Sequence, residues 1–256
     1  SLILTSPELH TVGKIMSGNR ARYAQNFLSS RALAWSLVRK STISKDDIVL
    51  EIGPGEGIFT IPLSKIARRV IAVEIDGELV RKLSGLFPPG RSNVEIIWND
   101  FDRISGPSGP CKMFSNIPFN HTARILKKIY ASPQITEAYL ILQKEAAEKY
   151  SGSPRESEVS VLAKPYYRFE TIHRFVRQDF HPVPAVDVVM LRIVRQDPPQ
   201  LEPSERDSYR DFVHYGFRSN KRNLRLAYKA VFTFPQWKRL SQDLRFHREA
   251  TASEIT

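Results

Sequence analysis

The chain has 256 residues, room for one sizeable core and a smaller appended unit, and its 41% hydrophobic and 25% charged content is ordinary for a soluble globular protein. No apolar run approaches the ~18 residues that span a bilayer, which speaks against a membrane partner, and the single cysteine, Cys111, excludes an internal disulfide framework and fits a reducing, cytoplasmic compartment. The net charge of +11 favours a polyanionic partner, nucleic acid before membrane, over a generally basic solvated surface.

In chain order, the start SLILTSPELH lacks the charge-then-core layout of a signal peptide, and Ser1 in place of an initiator methionine leaves room for trimming. Lys14, Arg20 and Arg22, followed by Arg31, Arg39 and Lys40, face only Glu8, so residues 1–24 read as a basic N-terminal arm. Residues 25–196 then alternate β-rich runs with helical stretches. Strands are predicted over 48–52, 69–74, 94–97, 113–115 and 138–143, and helices over 32–40, 59–67, 77–86, 123–130 and 145–150. Such alternation predicts an α/β, Rossmann-like domain with a mainly parallel sheet. Further strands are expected over 166–172 and 188–194, flanking the extended HPVPAVD at 181–187. The Pro-rich RQDPPQLEPSE opens a small all-α, basic C-terminal domain over 197–256, with helices expected at 205–217, 221–232 and 235–244. The closing TASEIT resembles an N-cap opening a further helix. Between Val213 and Arg248 the tail carries Arg218, Lys221, Arg222, Arg225, Lys229, Lys238, Arg239, Arg245 and Arg248, a charge concentration that reads as an RNA-binding face.

VLEIGPGEGIFTI (49–61) is a strand, a glycine turn and a helix start. Gly53, Gly55 and Gly57 permit a tight turn and a close approach of ligand to backbone, or serve only as a tight strand–helix junction. Glu74 ends the next strand, where a carboxylate can accept from both hydroxyls of an adenosine ribose, and Asp100 follows the strand after that, where it can accept from an adenine amino group. Glu56 inside the loop would repel phosphates, and no G-K-[ST] ending follows. An adenosine cofactor without phosphate fits, and S-adenosyl-L-methionine is the common one.

QNFL (25–28), EIGPGEG (51–57), VEID (73–76), ND (99–100), NIPF (116–119) and FHPVPAVD (180–187) resemble, in order and spacing, the motifs of the rRNA adenine-N6 methyltransferases. That family holds KsgA-like housekeeping dimethylases and the erythromycin-resistance (Erm) methylases. The resemblance implies a class I S-adenosylmethionine-dependent fold and S-adenosyl-L-homocysteine as product. It implies cofactor contacts from Gln25, Asn26, Leu28, Gly53, Gly55, Gly57, Glu74, Asp100, Phe101 and Asn116. It also implies a catalytic set of Asn116, Ile117, Pro118 and Phe119.

The chemistry agrees with that set. Adenine's exocyclic nitrogen is a poor nucleophile because its lone pair is delocalised into the ring. If the Asn116 side-chain oxygen and the Ile117 carbonyl accept its N–H groups, the nitrogen can pyramidalise and attack a cationic sulfonium in line. Pro118 would stiffen the loop and Phe119 would stack on an extruded base. No metal is needed, and His10, His121, His173, His181, His214 and His247 show no ligand spacing with one another or with Cys111. Phe180 either packs under the target base or belongs to the core. Tyr166, Tyr167 and Phe169 read as sheet packing rather than a stacking platform. RNA contacts are assigned to Phe180, Arg218, Lys221, Arg222, Arg225 and Lys229.

Ile117, and the tail from Phe232 to Trp237 (an F-T-x-x-Q-aromatic step after a basic helix), resemble the Erm branch. Ser115 and LQKEAAEKY (142–150) are at home in the KsgA-like branch. The expectation is a monomer acting on large-subunit rRNA before full assembly, with macrolide resistance as the outcome. Small-subunit dimethylation and a non-catalytic nucleic-acid-binding relative stay open as alternatives.

Overall fold

The computed structural model describes residues 26–255, so Gln25 and the arm lie outside the described residues. The strands and helices are β1 (Phe27–Leu28), α1 (Arg31–Lys40), β2 (Ile48–Ile52), α2 (Thr60–Ile66), β3 (Arg69–Glu74), α3 (Gly77–Leu86), β4 (Val94–Trp98), β5 (Cys111–Asn116), α4 (Thr122–Ala131), β6 (Ile135–Gln143), α5 (Lys144–Ser151), α6 (Glu158–Ala163), β7 (Tyr167–Arg174), β8 (Phe180–His181) and β9 (Val188–Arg195). Helices α7 (Arg206–Arg218), α8 (Leu224–Ala227) and α9 (Phe234–Asp243) follow.

One seven-stranded sheet runs β4-β3-β2-β5-β6-β9-β7. The pairs from β4 through β6 are parallel, and β9 inserts antiparallel between β6 and β7. Both faces are covered, which is why the strands read as nearly unbroken apolar runs. On one face α1, α2 and α3 pack Leu37, Leu63 and Leu83 with Val49, Val70 and Phe114. On the other, α4 packs Ile125 and Leu126 with Leu50, Met113 and Leu140. Local capping sets the helix starts. Ser30 Oγ accepts from Leu33 N at 3.2 Å, and Asp76 Oδ1 accepts from Glu78 N at 2.8 Å.

The chain order reverses direction between β2 and β5. Such a switch point opens a crevice at the carboxyl ends of the strands, where α/β folds bind ligands. Beyond β9 the chain is helical. α7 runs antiparallel to α6, with Tyr209 Oη donating to the Val161 carbonyl at 2.9 Å and Arg218 reaching Glu158 at 2.9 Å. It thus carries the chain from the linker at the foot of the sheet toward the end where the parallel strands finish. There a separate cluster forms around Trp237 with Leu224, Ala227 and Tyr228.

Three local expectations change. The helix expected over 221–232 is only Leu224–Ala227, because Asn223 caps it from Leu226 N at 3.0 Å and the chain then unwinds into turns on the Tyr228 carbonyl. TASEIT forms a 3-10 turn over Ala252–Glu254 closed by Glu254 on Thr251 N, and Ser253 O accepts from Glu156 N at 2.9 Å, docking the tail on the larger domain. The short helix α6 and the β1–β8 pair were not expected from the sequence.

Candidate active site

The glycine loop leaves β2 at the switch point with left-handed φ at Gly53 (+67°), Gly55 (+60°) and Gly57 (+85°). These glycines differ in what they face. A Cβ on Gly57 would lie 3.0 Å from Leu83 Cδ2, so this glycine serves packing, whereas a Cβ on Gly53 would meet nothing within 4 Å. Gly53 therefore presents bare backbone to a cavity of about 560 Å3, and Gly55 shares that wall beneath the Phe27 ring.

Across the cavity stands a clasp of β1 and β8, pairing Phe27 with His181 and Leu28 with Phe180, extended by Ser29 N to Asp179 O at 2.7 Å. Leu28 and Phe180 are at once core and cavity wall: both are buried, and the Phe180 ring meets Phe175 at 5.0 Å. The alternative of Phe180 as plain core is thus half of the answer.

β5 delivers Asn116, Ile117 and Pro118 to the same cavity. The loop is tied on both sides of Asn116: Ser115 Oγ donates to the Ile52 carbonyl at 2.8 Å, and Ile117 N to the Ile141 carbonyl at 3.0 Å. Asn116 Nδ2 donates to the Asn26 carbonyl at 3.0 Å, which orients the amide with its oxygen as the remaining acceptor. Phe119 opens a 3-10 turn over Phe119–His121, but its side chain lies outside the described residues.

Glu74 ends β3 buried beside the loop. Its Oε2 accepts from Gly55 N at 3.1 Å, and its Oε1 from Ile75 N at 2.9 Å and Asp76 N at 3.0 Å. Burial raises its pKa, against the lowering by those N–H groups. Deeper still, Glu51 is 2% exposed with Oε2 lacking a well-formed hydrogen bond, and burial pushes its carboxyl up to about 8, the nearby Thr60 hydroxyl opposing the rise and the Glu74 charge adding to it. Glu51 thus sits as a neutral acid under the loop at neutral pH.

Asp100 and Phe101 stand apart from the cavity wall. Asp100 Oδ1 caps the turn from Asp102 N at 3.0 Å, its Oδ2 is 3.5 Å from Arg124, and Phe101 is buried with the Arg124 guanidinium 5.0 Å from its ring centroid. Exposed Ile75 and Trp98 lie between this group and Glu74, linked by Trp98 Nε1 to the Ile75 carbonyl at 3.1 Å. They offer an apolar shelf that the sequence reading did not single out.

Also missed were the rim residues Asp76, Glu78 and Lys82 of α3. Lys82 pairs with Glu56 at 3.1 Å. The available signal was the Asp76 cap and the i,i+4 spacing of Glu78 and Lys82, one turn apart on α3. The acid-rich rim suits a cation better than a phosphate. Bare backbone at Gly53, a buried acid beside it and this rim together fit a cationic adenosine cofactor. No group of three or more His, Cys, Asp or Glu among the described residues could hold a metal ion.

The profile of the ribosomal RNA adenine dimethylase family matches residues 16–245. The chain belongs to that family. It is 31% identical over 205 residues to an rRNA adenine N-6-methyltransferase of Corynebacterium diphtheriae, covering 80% of each chain. It is 30% identical to the ribosomal RNA small subunit methyltransferase A of Aster yellows witches'-broom phytoplasma, covering 80% of this chain and 79% of that one. Among solved structures it resembles the 23S rRNA methyltransferase ErmE, with a TM-score of 0.84, 27% identity, and coverage of 90% of this chain and 95% of that one.

The chain is therefore an rRNA adenine-N6 methyltransferase with a Rossmann-like fold. In this methyltransferase the cationic tail residues are not equivalent. Lys221, Arg222 and Lys229 are exposed. Arg218 is paired with Glu158, and Arg225 with Glu249 at 3.0 Å while also lying 6.0 Å from the Phe234 ring centroid. Arg225, read from the sequence as a phosphate contact, is held by its own lobe. No helix among the described residues is long and apolar enough to cross a membrane.

Proposed function

We propose that this methyltransferase transfers methyl groups from S-adenosyl-L-methionine to N6 of one adenine in 23S rRNA, and so confers macrolide, lincosamide and streptogramin B resistance. The observation that carries the reading is the likeness to ErmE over 90% of this chain and 95% of that one. Small-subunit dimethylation is the second reading, favoured by the phytoplasma relative.

In this reading Gly53, Gly55, Asn26, Leu28 and Glu74 hold one end of the cofactor, its adenine reaches past the cavity wall over the Ile75–Trp98 shelf to Asp100 and Phe101, Gly57 shapes the loop, and Gln25 is assigned a cofactor contact by the resemblance alone. When bound, S-adenosylmethionine supplies an electrophilic methyl group and leaves as S-adenosylhomocysteine. The chain's own work is to position and polarise the base. Asn116 Oδ1 and the Ile117 carbonyl accept the N6 hydrogens, concentrating the lone pair on nitrogen, and the nitrogen loses one proton to water after gaining carbon. Pro118 and the bonds flanking Asn116 keep these acceptors fixed, so orientation supplies most of the acceleration. Lys221, Arg222 and Lys229 grip phosphate on the end of the molecule where the cavity opens. The protein acts as a monomer on protein-free RNA.

Label from S-adenosylmethionine should enter one adenine of protein-free 23S rRNA and be lost in Asn116→Ala, by about 10²-fold or more if the amide acts as a preorganised dipole. Label in 16S rRNA would overturn the substrate and keep the mechanism. An Asn116→Ala variant as active as wild type would overturn the mechanism.

A further inference from the structure

A second crevice of about 510 Å3 lies at the foot of the sheet, between α4, α6 and the starts of β7 and α7. It belongs to neither the catalytic cavity nor the basic tail. Along β6, Arg195 bonds Ile135 whereas Asn116 pairs with Ile141, six residues on, which puts the crevice roughly 20 Å from the catalytic loop. Its walls combine aromatic rings with guanidinium groups. Arg206 lies 5.5 Å from the Tyr166 ring centroid, Arg195 lies 5.0 Å from that of Tyr167, and the Tyr130 and Tyr167 rings are 4.8 Å apart. Leu162 supplies an aliphatic side.

Of the carboxylates flanking Arg206, Glu205 caps Glu202 N at 3.0 Å and Asp207 pairs with Arg210 at 2.8 Å, and neither lines the crevice. No Asp or Glu lines the crevice among the described residues. Arg195 spends its donors on neutral carbonyls, those of Ile135 at 3.2 Å, Ile129 at 3.2 Å and Ser132 at 3.0 Å, so only the partial charge of the α4 terminus offsets it. Arg206 is exposed at the first position of α7. The Tyr130 hydroxyl is buried without a hydrogen-bond partner, and burial keeps it protonated as a donor. A planar π-surface, a cationic rim and a spare donor fit a ligand that is flat at one end and anionic at the other.

We propose that this crevice is a second RNA anchor, holding one unstacked nucleotide of the substrate with its base on Tyr166 and its phosphate on Arg206. An RNA nucleotide is the occupant because the enzyme acts on rRNA and the cationic rim matches a phosphodiester. Aromatic stacking is also tolerant of base identity. The anchor requires an rRNA substrate but not the choice of subunit. It would select RNA long enough to reach from the target adenine to the foot of the sheet, without touching the reacting atoms.

The test compares wild type with Arg206→Glu and Tyr166→Ala on protein-free 23S and 16S rRNA transcripts and on the shortest hairpin that still accepts methyl. For long RNA, each variant should raise Kd and KM about tenfold, within the range that loss of one stacked base gives, with kcat unchanged. The hairpin values should not move. Arg206→Glu should also lower the salt slope by about 1. Transcripts carrying 4-thiouridine should crosslink to the peptide containing Tyr166. Unchanged affinity for long RNA in both variants, without that crosslink, overturns the anchor. So does an equal loss on hairpin and long RNA that follows a lowered Tm, since the stack would then only hold the domains together. An effect confined to 16S rRNA sustains the anchor while overturning the large-subunit reading.

Discussion

Glu51→Gln should stabilise the protein in alkali and change little in acid. The carboxyl is fully buried, with Oε2 lacking a well-formed hydrogen bond, and its pKa is about 8 in the fold against 4.5 in the open chain. Between those values the native state holds a proton that the unfolded state has released. Stability from this group is therefore complete below about pH 4.5 and drains away as pH rises to about 8. At 1.36 kcal/mol per decade the drain has a ceiling of about 5 kcal/mol, and relaxation of the site with entry of water brings the expectation to about 2 kcal/mol. Glutamine removes the ionisation and keeps the shape. Urea unfolding of both proteins at pH 5, 7 and 9 measures it. The variant's advantage should grow monotonically by about 2 kcal/mol from pH 5 to pH 9. Parallel curves, with the same difference at pH 5 and pH 9, would refute a buried neutral acid at this position.

Loop glycines should separate by function. Gly57→Ala places a methyl 3.0 Å from Leu83 at φ +85° and should cost about 1–3 kcal/mol of stability, read as a fall in Tm. Gly53→Ala points into open space, so beyond strain of about 1–2 kcal/mol its effect should fall on cofactor affinity by calorimetry. Charge reversal of Lys221, Arg222 and Lys229 together should weaken rRNA binding and flatten its salt dependence by about one unit of slope per lost phosphate contact, with cofactor affinity unchanged. Trp237→Ala removes the centre of the C-terminal cluster, where its Nε1 donates to the Arg248 carbonyl at 3.0 Å. It should cost about 3–5 kcal/mol, seen as early protease cleavage beyond β9.

The parallel strands were legible because strands buried on both faces must be apolar throughout: 48–52 and 69–74 match β2 and β3 end to end. α3 matched at 77–86 because Asp76 caps its start. The glycine loop, Glu74 and Asn116 were legible because their chemistry is local to one strand end each. What stayed hidden depends on distant partners. β1 and β8 have two residues apiece and carry no periodicity, so only the fold reveals that they pair. EVSVLA in α6 is rich in poor helix formers and depends on its Ser157 cap. In KRNLRLAYKAVF the composition favours a long helix, and Asn223 overrides it by capping inside the run. Lys82 and Glu78 reach the cavity through the rotation of α3, and Arg225 pairs with Glu249 farther along the chain, a contact that sequence spacing does not announce.

In the proposed reaction the β1–β8 clasp bears directly on catalysis. Both neighbours of Asn116 are pinned to adjacent strands, Ser115 to Ile52 and Ile117 to Ile141, so the backbone at Asn116 has little freedom to shift. Its side-chain amide is symmetric enough to sit either way round, and among the described residues the Asn26 carbonyl distinguishes the two orientations. With the clasp in place the amide oxygen serves as acceptor. A half-turn would present N–H to the N–H of an incoming amino group, donor against donor, and would withdraw the stabilisation that lone-pair release requires. Asn26 immediately precedes β1, so the same pairing that walls the cavity with Leu28 and Phe180 also sets the polarity of the group that meets the base. Under the proposed mechanism, cavity closure and the orientation of the acceptor are thus coupled through the 3.0 Å hydrogen bond from Asn116 to Asn26.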